Sequence, residues 1–154
     1  MGAVVFVTAR IAEPGKPVAL PGPAPITIDT PVRPIGPLPR DSGGWIHDYR
    51  DKVLRANLHN ERIEIRGTCI SACTMWLGAK NLCVAPDAMF WFHAARDPII
   101  GWTDPGGSAL MMSMYPLAVS RWAQKEGALL RLEFSVRHML TGEDLIAMGV
   151  QKCG

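Results

Sequence analysis

The clearest hydrophobic pattern in the chain begins after a turn cluster at residues 41–44. From Ile46 to Leu58, apolar side chains recur at the three- and four-residue spacing of an amphipathic helix. Asp41 and Ser42 carry side chains of the type that cap a helix N-terminus. The sequence therefore predicts a helix over 46–58, capped by one of these two residues.

The segments that follow predict short strands around a buried helix. Residues 62–66 alternate polar and apolar positions, which indicates a strand that ends at Gly67. Residues 71–79 are apolar and rich in small side chains, as is typical of a buried helix. Two brief apolar runs, 82–85 and 89–92, are separated by Pro86-Asp87, and we interpret them as two further strands.

The last third of the chain predicts helices. Beyond a loop at 97–108 that is rich in glycine and proline, segments 109–126 and 128–140 are interpreted as helices, divided near Pro116 and at Gly127. A final short helix is expected after Thr141, ending at Gly149. A strand, a helix and two strands followed by helices predict an α/β fold with a small, largely parallel sheet.

The N-terminal part of the chain differs in its proline content. Nine of the thirteen prolines precede Asp41, and this density disfavours both a long helix and a continuous central strand. We therefore interpret residues 1–40 as a proline-rich, partly extended lead with a short strand at 26–28. The length of 154 residues leaves room for one domain of ordinary size, at 41–154.

Charge and hydropathy exclude some classes of partner. The net charge of +2 is too small to favour a nucleic acid or an anionic membrane as partner. No uninterrupted apolar run reaches the roughly 18 residues that a bilayer span requires. We expect neither a nucleic-acid partner nor a membrane span.

The four cysteines, Cys69, Cys73, Cys83 and Cys153, leave two interpretations open. They are compatible with two disulfides in an oxidising compartment and equally with buried free thiols. Cys153 lies near the chain end, and we hypothesise that it closes on one of the other three. A zinc site is disfavoured because Cys-x3-Cys lacks the paired short spacing of structural zinc sites. We expect no metal or other cofactor.

The expected cellular compartment depends on whether the cysteines form disulfides or remain free thiols. Disulfides would favour a periplasmic or secreted protein. The first ten residues lack the basic segment of an export signal, so a cytoplasmic location is the alternative.

One serine is placed where a nucleophile could be activated. Ser71 follows the predicted strand and opens the predicted helix, whose first N–H groups have no partner within the helix. Such donors stabilise the oxyanion that forms when a hydroxyl attacks a carbonyl. We expect Ala72 to supply one donor and the glycine turn, Gly43 or Gly44, to supply another. A serine needs a base, and His93 at the end of a predicted strand is the candidate.

Each of these features also has an ordinary structural interpretation. A serine that opens a helix is usually an N-cap, and a glycine pair is usually a turn. A histidine after an apolar strand is commonly a partly buried, hydrogen-bonded side chain. Their order along the chain and their context favour a catalytic interpretation.

Three motifs carry a resemblance to a known family. They are Ser42-Gly-Gly before a helix, Cys69-Ile-Ser-Ala-Cys73, and Val84-Ala-Pro-Asp-Ala-Met-Phe-Trp-Phe-His93. Together they resemble the Clp protease proteolytic subunit of the ClpP/crotonase superfamily, and more closely the Clp-like bacterial proteins with a Ser-Ala-Cys motif, often predicted to be periplasmic. The resemblance extends over about residues 41–150.

The resemblance implies a single-domain stack of ββα units closed by C-terminal helices. It implies that Ser71 is the nucleophile and His93 its base, with Gly43 or Gly44 and Ala72 forming the oxyanion hole. The segment 141–150 is similar to the closing helix of that family. Members assemble into rings or trimers, so a homo-oligomer is compatible with the resemblance.

One member of the family's catalytic triad has no counterpart. Alignment of the C-terminal segments places Arg137 where the family has an aspartate, and loss of such a partner can cost about 10⁴ in kcat. The resemblance then implies an ATP-independent serine hydrolase that cleaves peptide or acyl substrates with a Ser–His dyad. The alternative is a catalytically inactive ClpP-like interaction module. A crotonase-type acyl-CoA enzyme is disfavoured because no glutamate pair is placed for hydration.

Overall fold

The computed structural model of the chain describes residues 35–154, so the strand predicted at 26–28 lies outside the described residues. Within them, four α-helices and two 3₁₀ helices accompany five strands. We call the longer 3₁₀ helix, Ser71–Gly78, the elbow helix; the shorter one is Val136–His138. The strands and α-helices are β1 Ile35–Asp41, α1 Ile46–Leu58, β2 Ile63–Ile70, β3 Leu82–Val84, β4 Met89–Trp91, α2 Pro105–Ser113, α3 Leu117–Glu126, β5 Met139–Thr141 and α4 Gly142–Ala147.

The five strands of the described region form one mixed sheet around β2. β1 pairs parallel with β2 along one side. On the other side, β3 pairs parallel with the first half of β2 and β4 pairs parallel with its second half. β5 adds to β4 in the antiparallel direction. The predicted α/β class and the largely parallel sheet are confirmed.

β1 is formed by the last residues of the segment that we interpreted as a lead. Its sequence contains Pro37 and Pro39, and its pairing with β2 is interrupted by two register shifts. A proline has no N–H to give to a sheet ladder, so prolines in sheets are confined to edge strands and bulges. β1 meets both conditions, which explains how a proline-rich segment joins the sheet.

Two predicted boundaries around the site are wrong. β2 does not end at Gly67 but continues to Ile70, so Ser71 directly follows the strand. The loop at 97–108 ends earlier than predicted, because the Asp104 carboxylate accepts a hydrogen bond from the Gly107 N–H and α2 begins at Pro105.

The helix predicted at 128–140 does not form. Gly127 adopts a left-handed conformation, with φ of 66°, and ends α3. The chain then runs through the short 3₁₀ helix into β5, whose backbone pairs with β4. Pairing across the sheet, which the local pattern does not encode, decides the conformation of this segment.

The core lies between the sheet and the helices around it. The elbow helix is almost entirely buried, as the sequence predicts, although it is a 3₁₀ helix. Tyr49, Val53 and Ala56 are the buried residues of α1, which packs against the elbow helix. Phe90 and Phe92, at and just beyond β4, are among the largest fully buried side chains. This packing fixes the ends of β2 and β4 relative to each other.

Both cysteine pairs form disulfides. Cys83 of β3 is joined to Cys153, which confirms the hypothesis that the terminal cysteine closes on an earlier one. Cys69 is joined to Cys73. Two disulfides fit an oxidising compartment. In residues 35–154, the helices are too short or too polar to cross a bilayer.

Candidate functional site

Ser71 occupies the turn between β2 and the elbow helix in an unusual backbone conformation. Its φ is +59°, and the only other non-glycine residue with a positive φ among the described residues is Asn60. A positive φ is uncommon outside glycine and marks a strained position that the surrounding structure must hold in place. A serine on a strained strand-to-helix turn is the arrangement that presents the hydroxyl of a nucleophile elbow.

The carbonyl of Ser71 is held by a short chain of hydroxyl groups. The Thr74 hydroxyl donates to the Ser71 carbonyl oxygen at 2.7 Å. The Tyr115 hydroxyl lies 2.6 Å from the same Thr74 oxygen. Thr74 and Tyr115 are both buried, so two interior side chains support the backbone at Ser71.

Gly43 brings the glycine turn against the same backbone. Its φ is +82°, and a Cβ at this position would lie 2.6 Å from the Ile70 carbonyl oxygen and 2.9 Å from the Ser71 Cβ. Only glycine combines this conformation with so close an approach. The turn therefore packs directly on the elbow.

Asp41 does not cap α1, and neither does Ser42, because the N-cap is Trp45 and has no side-chain hydrogen bond. The Asp41 carboxylate instead accepts the Gly43 N–H at 2.9 Å and the hydroxyl of Tyr49. Burial of Tyr49, together with its hydrogen bond to the negative carboxylate, raises the pKa of its hydroxyl far above the ordinary value. Tyr49 therefore stays protonated and ties the glycine turn to α1.

The bond to Asp41 distinguishes the two glycines that the sequence predicted as donors. The Gly43 N–H is occupied by the carboxylate, so Gly43 is not free to bind an oxyanion through that group. Neither the Gly44 N–H nor the Ala72 N–H is hydrogen-bonded within residues 35–154. Of the three predicted positions, Gly44 and Ala72 therefore keep an N–H with no hydrogen bond in that range, on an exposed residue at Gly44 and a fully buried one at Ala72.

His93 follows β4 and is half-buried. Its Nδ1 lies 2.8 Å from the Ala94 carbonyl oxygen. A carbonyl only accepts hydrogen bonds, so this contact places the ring proton of the neutral histidine on Nδ1 and leaves Nε2 as a free base. Burial lowers the pKa of His93, and the hydrogen bond to Ala94 partly offsets this effect. His93 is therefore neutral at pH 7 and able to accept a proton.

Ser71 and His93 line the same cavity, whose volume is about 640 Å³. This volume falls within the range of about 300–1,000 Å³ that is common for small-molecule sites. The walls come from the glycine turn with the start of α1, from the segment after His93, and from the start of α2. The other lining residues are Gly44, Trp45, Ile46, His47, Ala95, Arg96, Pro98, Asp104, Gly106, Gly107 and Leu110.

An aromatic ring packs against the imidazole of His93. The Phe134 ring meets the imidazole edge-on, with 4.8 Å between the ring centroids. Arg137, which the resemblance aligns with the family's aspartate, is exposed in the short 3₁₀ helix. In the described part of the chain no carboxylate is hydrogen-bonded to His93.

The Ala94 carbonyl was missed by sequence reasoning, which searched for a carboxylate. A backbone carbonyl is present at every residue, so no residue type marks it in a sequence. His138, which no motif in the sequence singles out, is a buried histidine. Its Nε2 lies 3.1 Å from the Glu126 carbonyl oxygen.

One group of metal-ligand side chains occurs in residues 35–154, away from this cavity. It comprises Glu64, Cys83 and Cys153. Because the two sulfurs are bonded to each other, neither is available as the thiolate that a metal requires. The disulfide therefore accounts for the proximity of the two sulfurs, and Glu64 lies opposite Cys83 in the pairing of β2 with β3.

The chemistry that this arrangement can perform is transfer of an acyl group to a hydroxyl. It combines a strained serine, a neutral histidine and the Gly44 N–H at one cavity, whereas the Ala72 N–H lies next to the serine on a fully buried residue that does not line the cavity. Comparisons of the chain with protein-family models, with curated proteins and with solved structures found no match.

Proposed function

We propose that this protein is a serine-type hydrolase with a ClpP/crotonase-like fold, acting on peptide or acyl substrates without ATP. The observation that carries the proposal is Ser71, held at a positive φ on a strand-to-helix turn, in a cavity that it shares with neutral His93. Ser71 is the proposed nucleophile and His93 the general base. Gly44 and Ala72 are the proposed oxyanion donors.

The proposed reaction has two steps. In the first, the Ser71 Oγ attacks the substrate carbonyl while His93 Nε2 takes the hydroxyl proton, and the carbonyl oxygen becomes an oxyanion near the Gly44 and Ala72 N–H groups. Collapse of this intermediate expels the leaving group, which takes the proton from His93. In the second step, water attacks the acyl-serine by the same route and restores Ser71.

The Ala94 carbonyl supports a dyad in place of a triad. It holds Nδ1–H and so selects the tautomer that leaves Nε2 basic. A neutral carbonyl makes a weaker hydrogen bond to an imidazolium than a carboxylate does, since charge-assisted bonds are roughly twice as strong. We therefore expect a slower enzyme than one with a full triad.

The walls of the cavity favour an apolar group on the substrate. The apolar side chains are those of Trp45, Ile46, Pro98 and Leu110, and Arg96 and Asp104 add one charge of each sign. The two disulfides support a periplasmic or secreted location, where ATP is absent. An apolar side chain or acyl group beside the scissile carbonyl is the class of substrate that we propose.

The test is labelling of the purified protein with a fluorophosphonate probe, at several protein concentrations, beside Ser71→Ala and His93→Ala. We expect covalent labelling at Ser71 in the wild type, none in Ser71→Ala, and strongly slowed labelling in His93→Ala. Labelling confined to high concentration would indicate that a homo-oligomer completes the site. Absence of labelling in the wild type at every concentration would contradict a hydrolase.

A second candidate is a catalytically inactive module that binds a peptide in the same cavity. It is favoured by one observation, that His93 is hydrogen-bonded to a backbone carbonyl with no carboxylate partner in residues 35–154. An unlabelled wild type that binds apolar peptides, and loses them in a Leu110→Glu variant, would support this candidate over the hydrolase.

A further inference from the structure

We infer that the Cys69–Cys73 disulfide is a positioning device for the nucleophile: it holds residue 71 in the left-handed conformation on which the proposed activity depends. This inference rests on the proposed function. It concerns a cross-link that surrounds Ser71 in the chain and touches neither the substrate cavity nor His93.

The disulfide joins the two elements that meet at Ser71. Cys69 is the penultimate residue of β2, and Cys73 lies in the first turn of the elbow helix. Their Cα atoms are 5.3 Å apart, and both residues are completely buried. The cross-link thus fixes the direction in which the elbow helix leaves the strand, and Ser71 must connect the two within that constraint.

The other contacts at the elbow are non-covalent. The Thr74 hydroxyl holds its carbonyl oxygen, and Gly43 packs against its Cβ. Neither contact links the residues before Ser71 covalently to those after it. A positive φ at a serine is unfavourable and persists only where the surroundings enforce it, so removal of the covalent link should let residue 71 relax to a negative φ.

The second disulfide provides a matched control. Cys83–Cys153 joins residues 70 positions apart, whereas Cys69 and Cys73 are separated by 4 positions. A cross-link restricts the unfolded chain more as the loop that it closes becomes longer. A general contribution to stability is therefore expected mainly from Cys83–Cys153, and the short cross-link is left with a local role.

The experiment compares Cys69→Ala/Cys73→Ala with Cys83→Ala/Cys153→Ala, both below their melting temperatures. The first readout is the rate of fluorophosphonate labelling at Ser71. The second is the NOE between the amide proton of Ser71 and its own Hα, which is strong only when φ is positive. We expect labelling about 100-fold slower and a weak NOE in the first variant, since misplacement by about 1 Å can cost 10²-fold. In the control variant we expect both readouts to match the wild type.

Two results would overturn the inference: labelling at the wild-type rate, or a strong NOE at Ser71 after the short disulfide is removed. If the wild type itself is not labelled, the proposed function fails, and the NOE alone decides whether the disulfide positions residue 71. If Cys69→Ala/Cys73→Ala does not fold, Cys69→Val/Cys73→Ala restores apolar volume in the core and is judged by the same two readouts.

Discussion

The two disulfides place the same bond in two very different regions of the molecule. Cys69–Cys73 spans a single turn beside Ser71, whereas Cys83–Cys153 ties the end of the chain back to β3. Around the second bond the chain continues the sheet, because Lys152 forms a bridge with Val84. The position of a cross-link thus decides whether it restrains the unfolded chain or shapes one turn of the folded protein.

The chain near the two disulfides also differs in how closely its conformation follows local preferences. The start of α4 follows local rules, since Thr141 and Asp144 form a capping box there. At the elbow, Ser71 has a positive φ and Gly43 is in contact with backbone atoms that leave no room for a Cβ. Departures from local preference are expected where function requires a fixed geometry.

The largest expected effect is on the free energy of unfolding, which should fall by different amounts when each disulfide is removed. Closure entropy predicts a loss of about 4 kcal/mol in unfolding free energy for Cys83→Ala/Cys153→Ala and about 2 kcal/mol for Cys69→Ala/Cys73→Ala. Urea unfolding of both variants and the wild type measures the two values. Equal losses would show that loop length does not explain the difference between the two bonds.

The next effect compares two glycines that share a left-handed conformation. Gly43 has no room for a Cβ, whereas Gly149, with φ of +99°, has nothing within 4 Å of that position. We expect Gly149→Ala to cost about 1–2 kcal/mol from conformation alone, and Gly43→Ala about 3 kcal/mol because overpacking adds to it. Thermal unfolding gives the costs, and only Gly43→Ala should slow labelling of Ser71. Equal costs would mean that the turn does not pack on the elbow as described.

A smaller effect distinguishes the two hydroxyls beneath Ser71. Thr74→Val removes the donor to the Ser71 carbonyl and leaves the buried Tyr115 hydroxyl without a partner, at a cost of about 2 kcal/mol. Tyr115→Phe leaves the bond from Thr74 to Ser71 intact and should cost about 1 kcal/mol. Denaturant unfolding and labelling rates check both variants. A greater loss of labelling in Tyr115→Phe would contradict the role assigned to Thr74.

The smallest effect is the pH dependence of labelling. The pKa of His93 is lowered by burial, so the neutral base persists below pH 6.5, and the rate falls only as pH drops through this lowered pKa. Stability depends on pH in the same direction. Below pH 6.5 the histidine of the unfolded chain takes up a proton before His93 of the folded protein does, so protonation favours the unfolded chain and the free energy of unfolding decreases as pH falls. Labelling rates from pH 5 to 8, with NMR titration of the His93 ring, measure the midpoint. A midpoint at or above 6.5 would contradict a desolvated base.

Local patterns predicted the site region better than the C-terminal half. The spacing of apolar residues predicts α1 with its observed bounds, and alternation in 62–66 locates the start of β2. The alternation misses the end of β2, because glycine is typical of a turn whereas Gly67 lies inside a strand whose later residues pair with β1 and β4. The helix expected at 128–140 fails for a similar reason, since β5 exists through its pairing with β4.

The sequence alone determined the α/β class, the step from strand to helix at Ser71, and Ser71, His93 and Ala72 as candidates, because these depend on local periodicity and residue type. The tertiary structure decided the cysteine pairing, the separate roles of Gly43 and Gly44, and the Ala94 carbonyl as the partner of His93. Each of these depends on which atoms the fold brings within bonding distance. That distance depends on how the strands and helices pack, and many sequences with the same local pattern would place those atoms apart.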